Sequence, residues 1–344
     1  MRPLDPKLSE KLTAWYDREK RDLPWRKDKD PYHVWISEIM LQQTRIETVI
    51  PYYERFLQEL PNVEALASVP EERLLKLWEG LGYYSRARNL QKAAKAILAE
   101  HQGSFPQTAA ELKKLPGIGP YTAGAIASIS FNEKEPAVDG NVLRVLSRLS
   151  EEERAVNDSS YRREAEKELR KIYPAEAGAF TEALMELGER ICLPNTLPRC
   201  QECPLQEICL SYAYNTMTEY PHSAPKAKPR EEENTILVFV HDGHIALEKR
   251  PKQGLLAGLY GFPLIPGKYT AAQLQENYGA EPQYLGEYTH LFSHIRWQNQ
   301  VWLLPVTDES SQWSWFTYEE LKEKAALPSA FAKVLTLLSQ IFTK

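Results

Sequence analysis

From Ser9 to Ser211 apolar residues recur at three- and four-residue spacing and strand-like alternation is scarce, which predicts an all-α region with short connections. The expected helices are His33–Leu60 with a break near Pro51, then Glu71–Glu79, Ser85–Glu100, Thr108–Lys114, Tyr121–Ser130, Val142–Leu149, Ser159–Ile172 and Ala177–Ile191. After Tyr220 the pattern changes. Pro221, Pro225 and Pro229 alternate with Lys226, Lys228 and Arg230 and run into Glu231, Glu232 and Glu233, which reads as an exposed linker over residues 216–234. Beyond it lie β-type runs at Thr235–Val240 and Ile245–Lys249, with the Asp242-Gly243 turn signal between them, and a further run at Gln300–Val306. Amphipathic patterns at Ala271–Tyr278 and Ser329–Phe342 complete an α+β domain over residues 235–344.

At 344 residues the chain has room for two such domains. Its 43% hydrophobic and 26% charged residues are those of ordinary globular proteins, which excludes collagen, mucin and wholesale disorder. No apolar run reaches the roughly 20 residues that span a bilayer, and Met1–Lys11 lacks the apolar core of a signal peptide, so the expected location is the cytoplasm. A net charge of −5 argues against coating nucleic acid by bulk electrostatics. Most of that deficit falls in residues 231–344, however, and the nearly neutral remainder can hold a local basic face.

All four cysteines, Cys192, Cys200, Cys203 and Cys209, fall in one short Pro-rich stretch, which in a cytoplasmic protein points to metal ligation. A structural zinc and an iron–sulfur cluster both fit four thiolates with a single C-x-x-C knuckle. Leu115-Pro116-Gly117-Ile118-Gly119-Pro120 lies between two helical patterns. Gly117 and Gly119 let backbone approach a phosphate, and the helix starting near Tyr121 offers free N–H groups, as in a helix-hairpin-helix that grips DNA without reading its sequence. An ordinary tight turn is the competing reading. Glu38 has Val34, Trp35 and Leu41 three or four residues away, so it is either an acid kept protonated by burial or a solvated rim residue. Asp139 precedes the pattern Val142–Leu149 and is an N-cap candidate; it is also a carboxylate placed to face a developing cation. One protonated and one ionised carboxyl is the pairing that glycosidic cleavage requires.

These features together resemble the endonuclease III superfamily of DNA glycosylases, and within it the MutY-type adenine DNA glycosylase family. The distinguishing stretches are Leu23-Pro24-Trp25-Arg26, residues 35–45 (WISEIMLQQTR), residues 80–90 (GLGYYSRARNL) and Val138-Asp139-Gly140-Asn141-Val142. The resemblance spans nearly the whole chain. It implies an all-α catalytic region over residues 1–215, with a helix-hairpin-helix part at about 23–132 and an iron–sulfur part formed by 1–22 with 133–215. It implies removal of adenine opposite 8-oxoguanine or guanine in double-stranded DNA by a monomer. Glu38 would protonate the base and later activate water, Asp139 would stabilise the cation, and Tyr121 and Asn141 would position the site. Arg21, Trp25, Arg26 and Glu182 would line the adenine pocket. Gln43 and Tyr83 would fill the vacated stack, with Leu41, Thr44, Leu81 and Arg86 beside the DNA. The cysteines would hold a [4Fe–4S] cluster, although the family's usual first gap is six residues and here it is seven. Residues 235–344 resemble a Nudix-like lesion-reading domain, with Phe292, Ser293 and His294 at the 8-oxoguanine.

The bifunctional relatives carry a nucleophilic lysine just after the hairpin, where this chain has Tyr121, so the expectation is a glycosylase without lyase activity. A Nudix hydrolase needs a glutamate cluster on the helix at Ala271–Tyr278, which offers only Glu276. No nucleotide hydrolysis is therefore expected. A bifunctional glycosylase and a catalytically idle DNA-binding iron–sulfur protein are the alternatives.

Overall fold

The computed structural model describes residues 1–223 and 228–342; Pro225 and Lys226 of the expected linker lie outside the described residues. The chain forms two compact units. One runs through residues 1–68 and resumes at 89, and the other takes residues 69–88 together with the C-terminal part.

The helices are α1 (Lys7–Glu19), α2 (Pro31–Leu41), α3 (Ile46–Glu59), α4 (Val63–Ser68), α5 (Glu71–Leu77), α6 (Ser85–His101), α7 (Ala109–Leu112), α8 (Pro120–Phe131), α9 (Gly140–Ser150), α10 (Ser159–Ile172), α11 (Ala177–Arg190) and α12 (Leu210–Tyr214). Helix α5 and the first residues of α6, up to Arg88, belong to the second unit. Asp30 starts α2 by accepting the Tyr32 N–H at 2.8 Å, and Pro31 supplies the preset φ of a first turn. The break expected at Pro51 lies elsewhere. Gln43 takes φ 60°, which ends α2, while Pro51 sits inside α3 and forgoes one backbone hydrogen bond. Helix α3 continues through it because Val49, Tyr53 and Phe56 are all buried.

Leu8, Leu12 and Tyr16 of α1 pack with Val142 and Leu146 of α9, Tyr161 and Leu169 of α10, and Phe180 and Leu184 of α11. Each such side chain contributes about 1.5–3 kcal/mol when fully buried. Helix α8 is buried from Thr122 to Ile129 and packs against α2 and α11. Its small residues let both neighbours come close. The turn from α7 into α8 carries Gly117 at φ 76°, where a Cβ would also lie 2.6 Å from the Asn89 Cβ. Gly119 differs: it is the N-cap of α8, and a Cβ there would meet nothing within 4 Å.

The second unit contains β1 (Arg230–His241), β2 (His244–Lys249), β3 (Tyr260–Gly261), β4 (Leu264–Pro266), α13 (Ala271–Tyr278), β5 (Gln283–Leu291), β6 (Ile295–Pro305), β7 (Ser314–Thr317), α14 (Tyr318–Lys324) and α15 (Ala332–Phe342). The main path of the sheet is β3-β2-β1-β6-β5, with β4 on β1 and β7 on β2. Strands β1 and β6 run parallel from Arg230↔Ile295 to Val240↔Pro305. Ile236 and Val238 face a core completed by Leu321 of α14 and Val334 of α15, while Leu237 and Phe239 face Leu274 of α13. This period of two is what a sheet covered on both faces requires.

Glu231, Glu232 and Glu233, expected in the linker, are strand residues. The ladder with β6 satisfies their backbone, the Trp297 Nε1–H donates to Glu232 Oε2 at 2.9 Å, and Arg296 lies 3.3 Å from Glu231. Among the described residues no helix is long and apolar enough to cross a membrane.

Candidate active site

A cleft of about 360 Å³ in the first unit gathers side chains from α2, α8 and α11 and from the segments before α2 and α9. Glu38 comes from the middle of α2 and is only 6% exposed. Burial pushes its carboxyl up to about 7, opposed by the hydrogen bond from Tyr121 and aided by the negative charge of Asp139. Tyr121, in the first turn of α8, donates its hydroxyl to Glu38 Oε2 at 2.7 Å. Its own phenol is pushed well above the usual range by burial and by Glu38, so it stays a donor.

Asp139 is the N-cap of α9. Oδ1 accepts the Val142 N–H at 2.8 Å and Oδ2 accepts from Asn141 Nδ2 at 2.8 Å, at a helix end that favours negative charge. The Asn141 amide is held in turn, because its Oδ1 accepts from Arg144 Nη1 at 2.9 Å. Arg144 also donates to the carbonyls of Gly188 and Cys192, at 2.8 and 2.9 Å. A chain of hydrogen bonds therefore runs from the cysteine loop to Asp139.

Trp25, Arg26, Leu41, Gln43 and Glu182 line the same cleft. Trp25 is pinned edge-on to Tyr53, with ring centroids 5.4 Å apart. Arg21, expected beside them, does not line it. Its guanidinium is spent on Glu186 at 2.6 Å and Glu189 at 2.6 Å, so it steadies Glu189, which does line the cleft. Glu186 is fully buried, yet its ion pairs with Arg21 and Arg26 overcome that burial and hold it below the ordinary carboxylate range. Glu182 is raised instead, by burial, and meets Arg26 only at 3.6 Å. Met185 and Glu189 were not expected. They follow Glu182 at three- and seven-residue spacing on α11, a periodicity that could have found them.

Other expected residues lie apart from the cleft. Thr44 closes the turn after α2, its N–H reaching the Leu41 carbonyl at 3.2 Å. Gly117 and Gly119 form the hairpin. Leu81, Tyr83 and Arg86 belong to the second unit. There Leu81 is buried, Tyr83 is half exposed at φ 46°, and Arg86 turns inward to the carbonyls of Leu81 and Gly82. Both Gln43 and Tyr83 thus hold the left-handed conformation that side chains rarely adopt, a form of strain concentrated at functional positions. Phe292, Ser293 and His294 make the hairpin loop between β5 and β6. Phe292 packs on Trp297 at 4.9 Å, and Ser293 and His294 are exposed.

Cys192, Cys200, Cys203 and Cys209 line one small cavity with Arg148 and apolar neighbours. Arg148 Nη1 lies 3.2 Å from Cys192 Sγ, and burial pushes the thiols of Cys203 and Cys209 up to about 12 and 11. Among the described residues no group of three or more His, Cys, Asp or Glu is gathered as a site for a single ion.

Fold and cleft together define a helix-hairpin-helix DNA glycosylase. Residues 36–175 match the model of the HhH-GPD superfamily of base excision DNA repair proteins, and residues 234–337 match a NUDIX domain. The chain is 37% identical to the adenine DNA glycosylase of Mus musculus, over 95% of this chain and 76% of that protein. It is 35% identical to the adenine DNA glycosylase of Buchnera aphidicola subsp. Baizongia pistaciae, over 96% and 97%. A structure of endonuclease III trapped as a covalent intermediate on DNA superposes with a TM-score of 0.52 at 26% identity, covering 62% of this chain and 99% of that one. The chain belongs to the adenine DNA glycosylase family, hydrolases that cleave DNA N-glycosidic bonds.

Proposed function

We propose that this chain, acting as a monomer on duplex DNA, excises adenine mispaired with 8-oxoguanine or guanine and does not cut the strand. The observation that carries this reading is the Glu38–Tyr121 pair, an acid raised to about 7, in one cleft with the helix-capping Asp139. The flipped adenine enters between Trp25 and Leu41 and meets Arg26 and Glu182. Glu38 gives its proton to a ring nitrogen. The C1′–N9 bond then breaks with its electron pair passing to the base, and Asp139, oriented by Asn141, stabilises the oxocarbenium ion. Water adds to C1′ as Glu38 takes back a proton, leaving free adenine and an abasic sugar. Gln43 and Tyr83 occupy the emptied stack, and the exposed Ser293 and His294 hydrogen-bond to the lesion.

In a single-turnover assay on a duplex with one adenine opposite 8-oxoguanine, strand breaks are expected only after alkaline work-up. Breaks under neutral work-up would establish a lyase instead, and no abasic product at all would leave a DNA-binding protein without catalysis.

The four cysteines are assigned a [4Fe–4S] cluster, supported by all four lining one cavity and by the cation of Arg148 beside Cys192. Such a group would supply a rigid brace for the loop at 192–209. Purified protein is expected to contain iron and acid-labile sulfide at about four each per chain. Zinc without iron would refute the assignment.

A further inference from the structure

Residues 69–88 stand in the helical part of the sequence, yet they form one compact unit with the NUDIX-like part of the chain. The ties are specific. The ammonium of Lys76, near the end of α5, donates to the carbonyl oxygens of Lys322 and Ala325, the latter at 3.0 Å. These lie at the C-terminal end of α14, where a helix leaves carbonyls without partners and positive charge is favoured. Glu79 completes the arrangement: Oε2 pairs with Lys76 at 2.6 Å and Oε1 accepts the Leu327 N–H at 2.8 Å. On the other flank Arg88 donates to the Ala257 carbonyl at 2.7 Å and to Glu71 at 2.8 Å.

Between these anchors runs the turn from Gly80 to Tyr84. Gly80, Gly82 and Tyr83 all have positive φ, at 99°, 67° and 46°. A tyrosine holds that conformation only where its surroundings over-determine it. Trp78 Nε1 and Arg86 Nη2 brace the turn from within by donating to the Gly82 carbonyl. Lys76, Glu79 and Arg88 fix its two ends to the C-terminal part of the unit.

We infer that Lys76 and Glu79 are positioning residues that lock the Tyr83 turn to the end of α14, so that the lesion-reading part of the chain sets how Tyr83 is presented to DNA. The inference rests on the role proposed for Tyr83. Its consequence falls on discrimination of the base opposite adenine rather than on bond cleavage.

The experiment uses the full chain carrying Lys76→Met, Lys76→Arg, Glu79→Gln or Tyr83→Ala, and Lys76→Met combined with Tyr83→Ala. Two quantities are read: the ratio of single-turnover rates opposite 8-oxoguanine and opposite guanine, and backbone amide exchange over residues 79–86 in the free protein. Lys76→Met is expected to lower the ratio about five- to tenfold, with nothing added in the Tyr83→Ala background, since residues acting as one unit are not additive. Lys76→Arg, which still donates to two carbonyls, should restore most of the ratio, and Glu79→Gln should fall between them. Exchange over 79–86 should quicken in Lys76→Met.

Unchanged exchange overturns the lock whatever Tyr83 does. Equal slowing on both duplexes, or full additivity with Tyr83→Ala, reduces the lock to a structural strut and overturns the coupling. If Tyr83→Ala alone leaves the ratio unchanged, it is the role of Tyr83 that falls, and the exchange result then decides for or against the lock by itself.

Discussion

Glu38→Gln protein will fail to release adenine while melting higher than its parent at alkaline pH. Glutamine keeps the shape of the side chain and can still accept the Tyr121 hydroxyl, but it has no proton to give. Loss of a positioned general acid costs on the order of 10²–10⁴-fold in rate, and the upper end is expected because the same group also activates the water. In the parent, the single-turnover rate should fall as pH rises through about 7, where the Glu38 proton is lost.

The stability effect has a defined sign. The folded-state value of about 7 lies above the ordinary 4.5, so between the two the folded protein binds more protons than the unfolded one. Stability therefore declines across that window as pH rises, by up to roughly 3 kcal/mol. The glutamine of the variant does not titrate, so the difference in melting temperature should widen in the variant's favour from about pH 5 to about pH 8. A parent-like rate, or a difference that does not change with pH, would remove Glu38 from the acid's role.

Asp139→Asn is the second large effect. Asparagine is nearly as good an N-cap as aspartate, so α9 keeps its start. Two things are lost. The negative charge facing the cation disappears, at a cost on the order of 10²–10³-fold in rate. In addition, the new amide would present a donor to the Asn141 Nδ2, and Asn141 cannot simply turn over because its Oδ1 already serves Arg144. That conflict should cost about 1 kcal/mol of stability. Melting curves and single-turnover rates on the same preparations separate the two losses. A rate within about threefold of the parent, well short of the loss expected for a missing charge, would mean that Asp139 is a helix cap and nothing more.

The sequence is most legible where local chemistry and tertiary role coincide. Asp139 is both a cap and a wall of the cleft, so the two readings of it are never in conflict. Glu38 is harder: its apolar neighbours on α2 hint at burial, but the partner that completes the site, Tyr121, stands 83 residues away. Arg21, placed in the pocket by the resemblance alone, has its guanidinium on Glu186 and Glu189 of α11, partners about 165 positions away that nothing in its local sequence announces. Pro51 draws the expected break because proline is the visible breaker; the residue that ends α2 is Gln43, whose φ nothing local announces. Strand β5 escapes a pattern search because its residues alternate only between exposed and half-buried, so no clean apolar period marks it. Nor can residues 69–88 be assigned to the second unit from local pattern, since Lys76 finds Ala325 across 249 positions.

The parallel pairing of β1 with β6 carries a consequence for how the chain is made. Glu232 and Trp297 meet across 65 residues, and no tight turn can join parallel neighbours. During synthesis β1 must wait, its edge unsatisfied, until β6 has left the ribosome, whereas most contacts of the helical unit lie within chain already emerged. The proline- and charge-rich stretch from Pro221 to Glu233 overlaps the start of this waiting strand, and three consecutive glutamates there would meet their own like charges in another copy, which disfavours premature pairing.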